Sequence, residues 1–246
     1  MATARGRVER PAFYALRSGG WRDLVTLLHP PYTAWHLSYV AFGAAAAPTI
    51  HADRLVAALA AFFLAVGVSA HALDELNGRP LGTALSRRTL VALAVAGLVG
   101  AVAIGVAGVV SVSATLIPFV LVGAFLVVAY NLELFGGRFH NDLWFALAWG
   151  AFPALTGYWV QALELKPAGV LVAAACCMLS VAQRRLSTPV RELRRRTESV
   201  TGEQTLRDGS RVELTAARLA APLDGALSAL SVAMVLLAVG LVAVRL

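Results

Sequence analysis

Long apolar runs constrain this chain more than any other feature. Seven stretches, 32–50, 54–71, 89–110, 113–130, 142–160, 168–184 and 222–244, are built largely of Ala, Val, Leu and Gly. At 1.5 Å of rise per helical residue, runs of this length span about 30 Å of bilayer hydrocarbon. Backbone N–H and C=O groups in hydrocarbon must be satisfied within the segment, and a helix does this. The sequence therefore predicts an all-α, polytopic membrane bundle of about seven transmembrane helices. Its charged fraction is 14%, against about 25% in soluble domains. Pro118 and Pro153 fall inside two of the runs, where kinks are expected and neighbouring groups must re-satisfy the freed carbonyls. The stretch "GLVGAVAIGVAGVV" (97–110) places small residues on several helix faces, which permits close packing.

Charge sets the expected orientation. The net charge is +7, and every basic residue except Lys166 is Arg. With seven spans and a cytoplasmic N-terminus, 18 basic residues lie on the cytoplasmic side and three (Arg54, Lys166 and Arg245) outside. The positive-inside rule thus predicts N-terminus in and C-terminus out. The arginines sit in short loops beside apolar runs, which fits a membrane surface and not nucleic acid. Cys176 and Cys177 are adjacent in an apolar run and predict neither a disulfide nor a zinc site. No cleaved leader is expected at the N-terminus. Residues 1–31 form a cytoplasmic arm, in which "GGWRDLVTLLHPP" predicts a short interfacial helix stopped by Pro30 and Pro31. Residues 32–246 form one transmembrane domain with a cytoplasmic loop at 185–221. Two helices are expected in that loop, "VRELRRRTESV" and "RVELTAARLAA".

Polar residues are equally one-sided. "HALDELNGRPLGTALSRR" (71–88), "YNLELFGGRFHND" (130–142) and 185–221 all fall on the predicted cytoplasmic side, whereas the outer loops are short. His71, Asp74 and Glu75 share one helical end. Tyr130, Asn131 and Glu133 close the fourth run, with Arg138, His140, Asn141 and Asp142 just beyond. A site open to the cytoplasm is expected there. No charged residue lies mid-span, which disfavours a small transporter.

The order of these features resembles the UbiA superfamily of intramembrane prenyltransferases, from about Leu24 to Leu206. "LLHPPYTAWHLSYVAFGAAA" (27–46) resembles that family's opening. "DELNGRPLGTALS" (74–86) resembles the end of its first Asp-rich motif. "YNLELFGGRFHNDLWFALAWGAFPALTGYW" (130–159) resembles its Tyr-containing loop and the helix after it. "ESVTGEQTL" (198–206) has the spacing that closes its second motif. Both motifs are degenerate: the first has Val66, Gly67 and Ala70 where acids are usual, and the second has Arg194.

The resemblance implies a helical barrel around a cytoplasm-facing cavity. It implies an enzyme that transfers a prenyl group from an isoprenoid diphosphate to an aromatic or lipid acceptor. Tyr130 and Asp74 are then the candidate catalytic residues. Arg79, Asn77, His71, Arg138 and Arg194 are candidates for substrate binding, and Asp74 and Glu198 for Mg²⁺. Hard oxygen ligands suit Mg²⁺, Arg suits phosphate oxygens, and aromatic faces suit a developing carbocation. The alternative is a non-catalytic isoprenoid- or lipid-binding scaffold that keeps the fold and has lost the metal site. Metal dependence separates the two.

Overall fold

The computed structural model describes residues 10–246. The first part of the expected arm, 1–9, lies outside the described residues. A short helix α1 (Trp21–Leu27) precedes α2 (Pro30–Ala46), α3 (Ala52–Leu76), α4 (Arg87–Ser111), α5 (Ala114–Asn131), α6 (142–162) and α7 (Pro167–Arg195). A hairpin of β1 (Glu203–Thr205) and β2 (Arg211–Glu213) follows, then α8 (Ala216–Ala243). The protein is mostly helical, and each of the seven apolar runs lies largely in a helix. Among the described residues, α3, α4, α5, α7 and α8 are long and apolar enough to cross a membrane.

α2 and α6 fall outside that group for a physical reason. α2 has 17 residues and buries Thr33, His36, Ser38 and Tyr39 within the bundle. It packs against α6, α8 and α7, where Trp35 Nε1 donates to Tyr39 Oη and Ser180 Oγ donates to the same oxygen at 3.2 Å. α6 likewise carries polar residues inward, including the buried Gln161.

Helix ends follow their capping residues. Ser86 Oγ accepts from Thr89 N at the start of α4, Asn141 Oδ1 from Trp144 N at α6, and Thr215 Oγ1 from Arg218 N at α8. Each side-chain oxygen satisfies an amide that the first helical turn leaves free. The expected kink at Pro118 is absent, because Pro118 is the second residue of regular α-helix after a 3₁₀ turn, where its missing N–H costs nothing. Pro153 follows a π-helical stretch, Leu147–Ala151. It has no N–H to offer the carbonyl four residues back, that of Trp149. His36 Nδ1 donates to that carbonyl at 2.7 Å.

The short helix expected before Pro30 forms as α1; its Asp23 is buried, and Oδ2 accepts from Ala84 N at 3.1 Å, pinning the loop after α3. Two expectations need correction. The 185–221 segment is not a loop from its start, because α7 continues to Arg195. And "RVELTAARLAA" is not one helix. Arg211–Glu213 pairs antiparallel with Glu203–Thr205, and α8 begins only at Ala216. Asp208 Oδ1 closes the hairpin turn by accepting from the Ser210 amide and hydroxyl.

The long helices run back and forth between two ends. One end is held by Asp23–Ala84, Asn77–Asn131, Arg184–Asp142 and Arg194–Asp224 contacts. At the other, His51 N donates to Gln161 Oε1, Arg54 to the Val160 carbonyl, and Arg245 to the Ala47 and Pro48 carbonyls. The first end carries the candidate site.

Candidate functional site

The site begins with the C-terminal third of α7. Arg184, Thr188, Arg191 and Arg195 recur at spacings of four, three and four, so they share one face of the helix. Arg191 lies within electrostatic reach of both Arg184 and Arg195. Arg184 Nε is 2.8 Å from Asp142 Oδ1, and its guanidinium sits 5.1 Å from the Phe145 ring centre. Arg191 donates to Thr188 Oγ1 at 3.1 Å, and Arg195 to the Pro11 carbonyl at 3.4 Å. Among the described residues, neither Arg191 nor Arg195 has a carboxylate within 4.0 Å. Three like charges on one face repel each other, and an anion placed against them relieves that cost.

Facing this stripe are residues from four other elements. Asp74, near the end of α3, is in electrostatic reach of Arg195, His140 and Arg191. Tyr130, near the end of α5, is 5% exposed, and its hydroxyl has no hydrogen-bond partner. Arg184 and Arg191 are the cations within reach of that hydroxyl. Its ring packs 4.6 Å from His140 and 5.4 Å, edge to face, from Trp149. From the arm, the Tyr14 hydroxyl meets His29 Nδ1 at 2.7 Å, and the His29 ring stacks on His71 at 4.1 Å. His29 holds a left-handed backbone conformation, φ 45°, at the start of α2. Such a conformation costs about 1 kcal/mol or more in a non-glycine residue, and the hydrogen bond and ring stack help to hold it. Burial lifts the Tyr14 phenol well above its usual pKa and pushes the His29 imidazole well below its own. Both are therefore neutral at pH 7.

Tyr130 and Trp149 also separate this polar cluster from an apolar cavity of about 310 Å³ between α3, α4, α5 and α6. The cavity exists because facing positions are small: Ala57 and Ala61 on α3, Ala101 and Gly105 on α4, Gly123 on α5. Trp149 lines it near the polar cluster, and Asp53 and Arg54 bound it at the opposite end. The small residues of 97–110 thus divide between two tasks. Gly97 packs against the backbone of α3, while Gly105 and Gly108 line the cavity.

Of the residues singled out from sequence, Asp74, His71 and Tyr130 come together here, with His140. Others do not join them. Arg79 is exposed and folds back on its own loop, donating to the Thr83 and Leu85 carbonyls at 2.8 and 3.0 Å. Glu75 is 0% exposed, and its carboxyl oxygens accept from Leu81 N, Thr83 N and Thr83 Oγ1. It organises the loop and turns away from Asp74. Asn77 ties α3 to α5 by donating to the Asn131 carbonyl. Arg194 points to α8, where it forms a largely buried ion pair with Asp224. Arg138 and Glu198 are exposed, Glu198 beyond the end of α7. Arg184, Arg191, Tyr14 and His29 enter the cluster without having been singled out as ligands.

The family motif would place Mg²⁺ here, and the donors do not fit it. Val66 lines the apolar cavity, Gly67 packs on Thr33, and Ala70 is buried. Among the described residues, no group of three or more His, Cys, Asp and Glu is placed to hold a metal ion. Asp74 lies within electrostatic reach of two guanidiniums, which repel a cation. Comparison of the chain with protein-family models, curated proteins and solved structures returned no match.

Proposed function

We propose that this protein binds an isoprenoid diphosphate and transfers its prenyl group to an aromatic or lipid acceptor, as a divergent UbiA-like membrane enzyme. The observation that carries the reading is the Tyr130–Trp149 contact. It stands between a cationic face and an apolar cavity, and the ligand that matches both has an anionic head and an apolar tail. On this reading the diphosphate oxygens lie against Arg191 and Arg195, with the free Tyr130 hydroxyl as a further donor. The allylic C–O bond breaks, its electron pair leaves with the diphosphate, and the guanidiniums neutralise the growing charge. Tyr130 and Trp149 present ring faces and edges where the allylic cation develops. The acceptor forms the new bond to that carbon and gives up a proton.

The seven-span topology belongs to the same proposal. The polar cluster faces the cytoplasm, with the N-terminus inside and the C-terminus outside, supported by the division of basic residues. A second reading, binding without transfer, is favoured by one fact: the cluster retains one carboxylate of the motif acids, Asp74.

Labelled farnesyl diphosphate added to the protein in phosphatidylcholine nanodiscs tests this. Saturable binding, lost in Arg191→Gln, with release of inorganic diphosphate and a labelled lipid-soluble product is the expected result. Binding without release assigns the non-catalytic reading. No saturable binding contradicts both.

A further inference from the structure

We infer that the site holds its diphosphate without a metal ion, with the arginine stripe of α7 doing the work of the cation. This rests on the diphosphate reading above and goes beyond it by naming what neutralises the head group.

The argument comes from an account of the carboxylates at this end of the molecule. Asp23 is buried on the Ala84 amide, and Glu75 is buried on Leu81 and Thr83. Asp142 pairs with Arg184 and Asp224 with Arg194. Glu133 is half exposed and lies 4.0 Å from His140. Glu192 and Glu198 are exposed. Glu203, Asp208 and Glu213 belong to the exposed hairpin. Among the described carboxylates Asp74 remains, and one carboxylate within electrostatic reach of two arginines is a poor seat for Mg²⁺, which needs oxygen ligands in near-octahedral array.

The same region meets the requirements of an anion directly. Among the described residues Arg191 and Arg195 have no carboxylate within 4.0 Å, and their crowding with Arg184 is relieved by negative charge. The Tyr130 hydroxyl is buried, unpartnered and within electrostatic reach of Arg184 and Arg191. Arginine forks match phosphate oxygens two at a time, so a pair of them replaces both the charge and the geometry a metal supplies. Asp74 then opposes the bound anion. Within electrostatic reach of Arg191 and Arg195, it acts as a counter-charge to the stripe when no anion is bound.

The test is equilibrium binding of farnesyl thiodiphosphate to the full-length protein in phosphatidylcholine nanodiscs, with Mg²⁺ and with EDTA. The parent protein should bind at least as tightly in EDTA. Arg191→Gln and Arg195→Gln should each weaken binding by roughly tenfold or more in both conditions. Arg191→Lys, which keeps the charge, should retain part of that affinity, separating lost charge from lost folding. Asp74→Asn should leave binding unchanged or tighter in EDTA. A parent affinity that falls tenfold or more in EDTA, with Asp74→Asn abolishing the Mg²⁺ response, overturns the inference while the diphosphate reading stands. Binding indifferent to metal and to both arginines overturns the diphosphate reading itself, and this inference with it.

Discussion

Gly43→Ala and Gly157→Ala should each destabilise the bundle and disturb the setting of Trp149. α2 and α6 touch backbone to backbone at these glycines. A Cβ on Gly43 would lie 1.9 Å from the Ala154 carbonyl oxygen, and one on Gly157 would lie 2.1 Å from that of Val40. A carbon needs about 3.3 Å from such an oxygen, so the helices must part by roughly 1.4 Å. Overfilling a packed interface costs about 1–3 kcal/mol. The same separation pulls His36, two turns before Gly43, from the Trp149 carbonyl that Pro153 leaves free. A buried hydrogen bond lost in this way costs about 1–3 kcal/mol more. A total of about 2–6 kcal/mol corresponds, for a chain of this size, to a fall in Tm on the order of 10 °C. The assay is thermal unfolding in detergent, followed by tryptophan fluorescence. Gly225→Ala and Gly240→Ala are the controls, because an added Cβ there meets nothing within 4 Å. They should leave Tm unchanged or slightly raised. A Gly43→Ala protein melting within about 2 °C of the parent refutes the close-contact argument.

Glu75→Gln should loosen the 77–86 loop at a cost of about 1–3 kcal/mol, because an amide NH₂ must face one of the three donors that the carboxyl oxygens now satisfy. Hydrogen exchange at Leu81 and Thr83 checks it, and protection equal to the parent's refutes it. Asp224→Leu should cost about 3–5 kcal/mol by leaving Arg194 buried with its charge uncompensated. Adding Arg194→Leu should recover part of that loss, and strictly additive effects in a double-mutant cycle would argue against coupling. Stability should also fall on acidification. The folded state holds His29 neutral among Tyr14, His71, His36, Arg191 and Arg195, so its pKa lies below the usual value of about 6.5. Below that pH the unfolded chain takes up the proton first, and stability is lost as pH falls. His29→Asn, with a residue that tolerates the left-handed backbone, should flatten melting curves recorded between pH 7.5 and 5.5; an unchanged slope counts against His29 as the source.

The helices were legible because hydrocarbon-length apolar runs leave little other choice. Their ends were less so. Hydropathy stops near Arg184, yet α7 continues to Arg195, since arginine is a good helix former even where it ends an apolar run. The hairpin carried its own signal, Asp208-Gly209 between "EQT" and "RVE", but the surrounding charge favoured a helical reading. Asp74 and Glu75 show why the site was only half readable. They are neighbours in sequence, and one step of helix phase sends one to the arginines and the other into its own loop. The spacing of Arg184, Arg191 and Arg195 was visible but indistinguishable from a topology signal without knowing what α7 faces. Tyr14 and His29 reach the cluster through the path of the arm and a left-handed turn, which no local pattern announces.

The central claim is that one ligand places an anionic head on the α7 arginines and an apolar tail in the cavity beyond Trp149. Photo-crosslinking tests it most directly, using a prenyl diphosphate with a diazirine at the tail end and the protein in phosphatidylcholine nanodiscs. The account predicts labels on cavity residues of α3, α5 and α6, such as Phe62, Phe119 and Phe152. It predicts that Arg191→Gln combined with Arg195→Gln abolishes them. Labels confined to exposed apolar positions outside the cavity, such as Val95, Val99 and Leu236, or cavity labels untouched by the loss of both arginines, would contradict it.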